Sequence, residues 1–299
     1  MPSISPLSDA QAKRLIQMYD GAEKEILNEC NRLLLKNPES YSLAWQKTIL
    51  ARVQQIRGDL LKGSRTWCQE AIPDSYMKGV SWADADPLAG QKLLAGFGSI
   101  HQQAVEVLSE NTFSRLSDVN NVVGRRVDDV FRQVALENSK GSVIGYETTR
   151  KAAKRIRDDL ANRGITGFVD KAGHEWDMGR YAKTLAQETV NGSFRQGTIN
   201  RLEEKGHDLV RISTHSGSCP QCTPFEGETF SLSGTDEKYR PLEEARAEGL
   251  FHAGCLHVIS LAPEELDRFI GRLQGNEGTI ARDAEIERLA AAYDARHNS

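Results

Sequence analysis

Along roughly the first 140 residues, apolar side chains recur at steps of three and four, the spacing that keeps them on one face of an α-helix. From Ser8, a plausible N-cap, Leu15, Tyr19, Ala22, Ile26, Cys30 and Leu33 form one stripe, which ends near Asn37-Pro38. Trp45, Ile49, Val53, Ile56 and Leu60 form a second. Two such stripes in succession predict a pair of long helices packed as a hairpin. A stretch rich in Pro, Asp and Gly around 73–90 reads as a loop. Further helical patterns run over 92–110 and 113–138, with Phe97, His101, Val105 and Leu108 among their apolar positions. Because His101 lies on that stripe, it reads as a core or interface histidine rather than a ligand. Near 139–145 the segment Ser-Lys-Gly-Ser breaks the pattern.

Beyond the break the period changes. Phe168-Val169-Asp170 and His174-Glu175-Trp176 flank Lys171-Ala172-Gly173 as a small β-hairpin, and Asp177 then caps a helix running to about Lys205. DLVRIST at 208–214, TFSL at 229–232 and LHVISL at 256–261 read as strands of a small sheet. The expected fold is mainly α with a small α+β C-terminal domain. A long N-terminal helical hairpin or bundle precedes a small sheet with a Cys/His metal knuckle. The expected division is 1–140 for a helical partner-binding region, 141–262 for the α+β domain, and 263–299 for a polar helical or flexible tail.

Composition narrows the classes. With 38 basic and 42 acidic residues well mixed, the net charge of -4 does not describe a surface that grips nucleic acid everywhere, so any DNA contact has to be local. The local candidate is ETTRKAAKRIRDDLANR at 147–163, where Arg150, Lys151, Lys154, Arg155 and Arg157 make either a solvated helix face or a strip that touches phosphates. No run of 18 apolar residues occurs, and MPSISPLSDAQAK has neither the charged start nor the apolar stretch of a signal peptide. The expectation is a soluble protein made and kept in a cytoplasm. The five cysteines, at 30, 68, 219, 222 and 255, are odd in number, which argues against a disulfide framework. Cys30 and Cys68 sit among apolar residues at helical spacing and read as small buried hydrophobes.

The remaining three cysteines carry the candidate chemistry. CPQC at 219–222 and HAGCLH at 252–257 lie on loops between the predicted strands. Two cysteines separated by two residues can present both thiolates to one cation from a tight turn, and HAGC supplies a second pair at the same inner spacing. Cys219, Cys222, His252 and Cys255 would make a closed Cys3His zinc site, with His257 or His215 as substitutes for the histidine. Four protein ligands leave no open position, which favours a structural site over a catalytic one. Pro-Phe-Glu-Gly after Cys222 reads as a turn, unlike the helix start of a thioredoxin-type redox pair. His174-Glu175 lacks the second histidine of a metalloprotease helix. The His-x-Glu and Pro-Cys-x-x-Cys signature of zinc deaminases is absent.

On GFVDKAGHEWDMGRYAKTLAQETV, EEKGHDLVRISTHSGSCPQC, FEGETFSLSG and PLEEARAEGLFHAGCLHVISL, the chain from about 145 to 261 resembles the C-terminal region of tailed-phage minor capsid (minor head) proteins of the Mu F and minor capsid protein 2 type. Ala253 stands where that family usually has proline and Leu256 where it usually has arginine; neither departure removes a candidate ligand. The resemblance implies a structural, non-enzymatic protein of the virion, present at the portal vertex or capsid interior after a stay in the host cytoplasm. Its implied partners are the portal protein and the major capsid or scaffolding protein, and its implied role is head assembly or the packaging or ejection of DNA. The competing class is a metal-dependent nuclease or other DNA-processing enzyme packaged in the head, using His215, His252 and His257 with acidic neighbours and the basic strip at 150–163.

Overall fold

The computed structural model describes residues 5–35, 43–87, 98–144, 168–169, 174–215 and 217–265, with short helical pieces at 288–289, 291–292 and 295. The basic strip at 150–163, the hairpin turn at 171–173 and most of the stretch from 266 onward lie outside these residues. The elements are α1 (Ser5–Leu35), α2 (Leu43–Asp84), α3 (Ser99–Ile144), β1 (Phe168–Val169), β2 (Glu175–Trp176), α4 (Met178–Glu204), β3 (Leu209–Ile212), β4 (Thr229–Ser231), α5 (Leu242–Ala247) and β5 (Ile259–Leu261). The protein is therefore mainly helical with a small antiparallel sheet toward the C-terminus. Among the described residues no helix is long and apolar enough to cross a membrane.

Two expectations about helix ends need correction. The segment from 73 to 84 is helix: α2 runs through Pro73 to Asp84. A proline inside a helix removes one hydrogen bond and costs about 3 kcal/mol. Here the flanking stripe of Trp67, Cys68, Ala71, Ile72, Ser75, Tyr76, Val80 and Ala83 is buried, so packing outweighs the local cost. Likewise α3 is one helix of 46 residues, without the interruption expected near 111 or the break from 139.

The chain forms two compact units, interleaved in sequence. Met1–Gln11, Glu70–Ser109 and Gln187–Ser299 make the sheet-bearing unit, and Ala12–Gln69 with Glu110–Ala186 make the helical unit.

In the helical unit the predicted stripes are core. Leu15, Tyr19, Ile26 and Cys30 of α1 are buried, as are Ile49, Val53, Leu60 and Trp67 of α2 and Leu116, Val119, Val123 and Val127 of α3. Cys30 and Cys68 behave as small hydrophobes, and burial pushes both thiols up to about 12. Polar groups on these faces are matched. The Tyr19 hydroxyl lies 3.1 Å from Ser64 Oγ, and Arg57 Nε donates to Asn120 O at 3.1 Å while Asn120 Nδ2 donates to Arg57 O at 3.0 Å. The short β1–β2 pair is antiparallel, with Phe168 opposite Trp176. Asp177 caps α4, its Oδ1 accepting the Arg180 N–H at 2.7 Å.

In the sheet-bearing unit the strand order is β4-β3-β5, all antiparallel, with Val210 opposite both Phe230 and Leu261. Both sheet faces of so small a sheet need cover. Its core joins Val210, Ile212, Phe230, Ile259 and Leu261 to Ile199 and Leu202 of α4, Ala83 at the end of α2, and Leu242 and Ala245 of α5. The end of α2 lies very close to α4. A Cβ on Gly79 would fall on the Phe194 carbonyl, and one on Gly197 on the Tyr76 carbonyl. Trp82 Nε1 donates to Ile259 O at 2.9 Å, which ties α2 to the sheet. His101 is a satisfied core histidine, as the stripe implied. Tyr76 donates to its Nδ1 at 2.8 Å, and its Nε2 donates to Glu204 at 3.0 Å.

Candidate metal centre

The candidate ligands sit on the loops that join β3, β4 and β5. After β3, the segment Cys219-Pro-Gln-Cys222 closes a tight turn in which the Cys222 and Thr223 N–H groups both donate to Cys219 O at 3.0 Å. A short 3-10 helix, Thr223–Phe225, follows and buries Phe225. Gly227, at φ 73°, then reverses the chain so that its N–H reaches Ile212 O at 3.0 Å. The second loop turns at Gly254, φ 84°, where the Cys255 N–H donates to His252 O at 2.9 Å. An L side chain at Gly254 would strain that turn and shift both flanking ligands.

The structure brings all the predicted ligands to one corner of the sheet, in three overlapping groups. Cys219, Cys222 and His252 form one, Cys222, Cys255 and His257 the next, and His215, Glu226 and His257 the third, with the ligand atoms of each within 4.8 Å of one another. Cys222 belongs to the first two groups and links Cys255 to the pair predicted with it. Cys222 Sγ and Cys255 Sγ are 3.7 Å apart. Two thiolates bound at about 2.3 Å to a tetrahedral zinc stand roughly 3.8 Å apart, so this pair already has the spacing of a shared ion. Cys219 Sγ lies 3.0 Å from His252 Nε2, and His252 Nδ1 donates to Ala253 O at 2.8 Å, which leaves Nε2 as the ligand nitrogen.

The electrostatics favour a cation. Burial would raise the Cys219 and Cys255 thiols, but hydrogen bonds outweigh it and bring both to about 7. For Cys219 these come from the Cys222 backbone and the His252 ring, and for Cys255 from His257. Burial, with Cys255 beside it, pushes Cys222 up to about 12. Two sulfurs are therefore poised as thiolates, and the third would release its proton to a bound metal.

Helix α4 contributes groups that the sequence did not single out. Asn191 Nδ2 donates to Cys255 O at 3.1 Å, and Arg195 Nη1 lies 3.3 Å from both Cys255 O and His257 O. Burial draws Arg195 down to about 10, and its guanidinium stands 4.5 Å over the Phe251 ring. Glu226 is the other omission. Its Oε1 accepts the His215 N–H at 3.1 Å and lies 2.9 Å from His257 Nε2. Glu226 could have been found, since it follows Cys222 by four residues in the turn already noted; nothing in local spacing links Arg195 to a loop sixty residues on.

The described residues are thus mainly helical, with a cluster of Cys and His side chains on the loops of a three-stranded antiparallel sheet. The chain belongs to the family described as phage minor capsid protein 2, whose match covers residues 7–266 and so includes both the long helices and the sheet. It is also 21% identical over 114 residues to a protein named "Structural protein" from Lactococcus phage LL-H. That alignment covers 38% of this chain and 31% of the relative, so the chain matches about a third of the relative's length. No solved structure matches.

Proposed function

We propose that this protein is a structural component of a tailed-phage head, placed at the portal vertex or capsid interior and acting in head assembly or in DNA packaging or ejection. The observation that carries the reading is the minor-capsid family match, which runs through the helices and the Cys/His module alike. In this reading the module is structural: Cys219, Cys222, His252 and Cys255 hold zinc, and the ion pins two loops whose strands are only three or four residues long. The portal protein is the first expected partner, with the major capsid or scaffolding protein next. Ile100 and Val107, two turns apart on α3, are 67% and 52% exposed, as a helix face that meets another protein would be. Arg150, Lys151, Lys154, Arg155 and Arg157 are proposed to touch packaged DNA locally.

Co-expression of the full chain with the portal protein, followed by affinity capture, is the direct test. The two should co-purify, and Ile100→Asp with Val107→Asp should abolish capture without lowering the melting temperature; a full chain indifferent to every head protein ends this reading. A second reading, a packaged metal-dependent nuclease, draws on one observation, the convergence of His215 and His257 on a carboxylate. Plasmid cleavage that depends on added divalent metal and disappears in His257→Ala would establish it.

A further inference from the structure

We propose that Arg195 is the counter-charge of the cysteine corner, a positioning residue that raises the site's affinity for a divalent ion by balancing the anionic centre formed there. The inference rests on the reading of Cys219, Cys222 and Cys255 as metal ligands and deepens it. Three thiolates and one imidazole around a divalent ion leave a net single negative charge, whichever histidine completes the set. Cys222, Cys255 and His257 are buried, so water does little to screen that charge. A fixed cation beside them would.

Arg195 meets that need from helix α4. It is only 4% exposed, and among the described residues no carboxylate pairs with it. A guanidinium keeps its charge in a protein interior, so a buried one without a carboxylate has to be balanced by something else. Of the groups around it able to bear negative charge, Cys255 acts most strongly, ahead of Cys222 and Glu188, while Arg246 is a like charge. The contacts set the cation inside the closing loop. Nη1 lies 3.3 Å from the carbonyls of both Cys255 and His257, and the guanidinium stands 4.5 Å over the ring of Phe251, the residue before His252. Phe251 has φ 66°, a left-handed conformation that a bulky residue keeps only where its surroundings hold it. One side chain therefore touches the loop on both sides of the ligand pair His252 and Cys255. Asn191, one turn earlier on α4, donates to the same Cys255 carbonyl at 3.1 Å but carries no charge. The two residues thus separate holding the loop from balancing its charge.

Chelator competition for zinc and absorption spectroscopy of the cobalt(II)-loaded protein, both on the purified, reduced full chain, test this. Arg195→Met should weaken zinc binding by about 10–100-fold, and Arg195→Lys, which keeps the charge, should recover most of that loss. The thiolate-to-cobalt charge-transfer band should move to longer wavelength in Arg195→Met, because sulfur lone pairs rise in energy when a nearby positive charge is removed; Asn191→Ala should leave the band in place. Arg195→Gln carries the same expectations as Arg195→Met, so a methionine variant that fails to fold does not leave the question open. In a Cys219→His background the loaded centre is neutral, and the cost of Arg195→Met should shrink. Wild-type affinity and an unmoved band in the uncharged variants, a lysine variant as weak as the methionine one, an equal band shift in Asn191→Ala, or an undiminished cost beside Cys219→His would each overturn the counter-charge role. A wild-type chain that binds neither zinc nor cobalt through its thiolates would instead overturn the metal reading on which this role rests.

Discussion

The helical unit and the sheet-bearing unit are held by different means. In the first, each stripe residue contributes one more piece of a continuous apolar face, and the few polar groups pair locally, as Arg57 does with Asn120. Stability there is spread over many positions. The second has strands of three or four residues and an apolar core assembled from α2, α4, α5 and the sheet. Its geometry depends on a handful of polar fixtures: the cysteine corner, the Trp82–Ile259 bond, Arg195 across two carbonyls, and Glu265 at the start of β3. A long amphipathic helix needs little instruction beyond its period, whereas short strands joined by long loops need cross-links.

The contrast is broken most severely by removing the proposed metal. Structural zinc contributes on the order of 10 kcal/mol to modules that cannot fold without it. Here an apolar core remains, so the expected loss is a part of that, on the order of several kcal/mol, confined to the sheet-bearing unit. Hydrogen exchange with and without chelator should show amides of residues 209–261 losing protection while Leu15–Ile26 keep theirs. Equal protection in both conditions would show that the core alone holds the sheet.

Trp67→Ala probes the other side. Trp67 is fully buried in the helical unit, and truncating it should cost about 3–5 kcal/mol by denaturant unfolding while leaving metal content unchanged. A cost below about 1 kcal/mol would mean that the helices collapse over the cavity and that their packing is less specific than the burial implies.

A smaller, pH-dependent effect belongs to Glu265. Burial alone would raise this carboxylate, but His207 and the Leu209 and Asp208 N–H groups outweigh it and hold it at about 2, against an ordinary 4.5. A depressed carboxylate contributes stability that is fully present above its unfolded value and is lost as pH falls. The contribution, about 2–3 kcal/mol by linkage, should therefore fade between pH 4.5 and 2. Glu265→Gln should lower stability at neutral pH and flatten the acid limb of the unfolding curve; an unchanged limb would assign acid sensitivity to other carboxylates.

Much of this was legible beforehand. The stripes of α1 and α2, the strands β3, β4 and β5, the Asp177 cap and the buried character of Cys30, Cys68 and His101 all follow from periods and residue types. Pro73 misled, because a proline sets a local cost that a long buried face can exceed, and α3 also runs on through 139–144. Of the corner residues, those with a spacing signal, Cys219, Cys222, His252 and Cys255, were visible. Glu226 follows Cys222 closely enough to have been found, whereas Asn191 and Arg195 were not visible, since each acts on a loop through a contact made by folding.

The sequence by itself determined the helices, the strands and the residue types able to bind a metal, because period and local spacing are properties of neighbours along a chain. Only the tertiary structure decided which ligands meet. It placed Cys255 against Cys222, brought Glu226 to His257, and laid α4 under the closing loop. Those pairings join groups about thirty to sixty residues apart, and their cost is loop closure and desolvation, which no short stretch of sequence records.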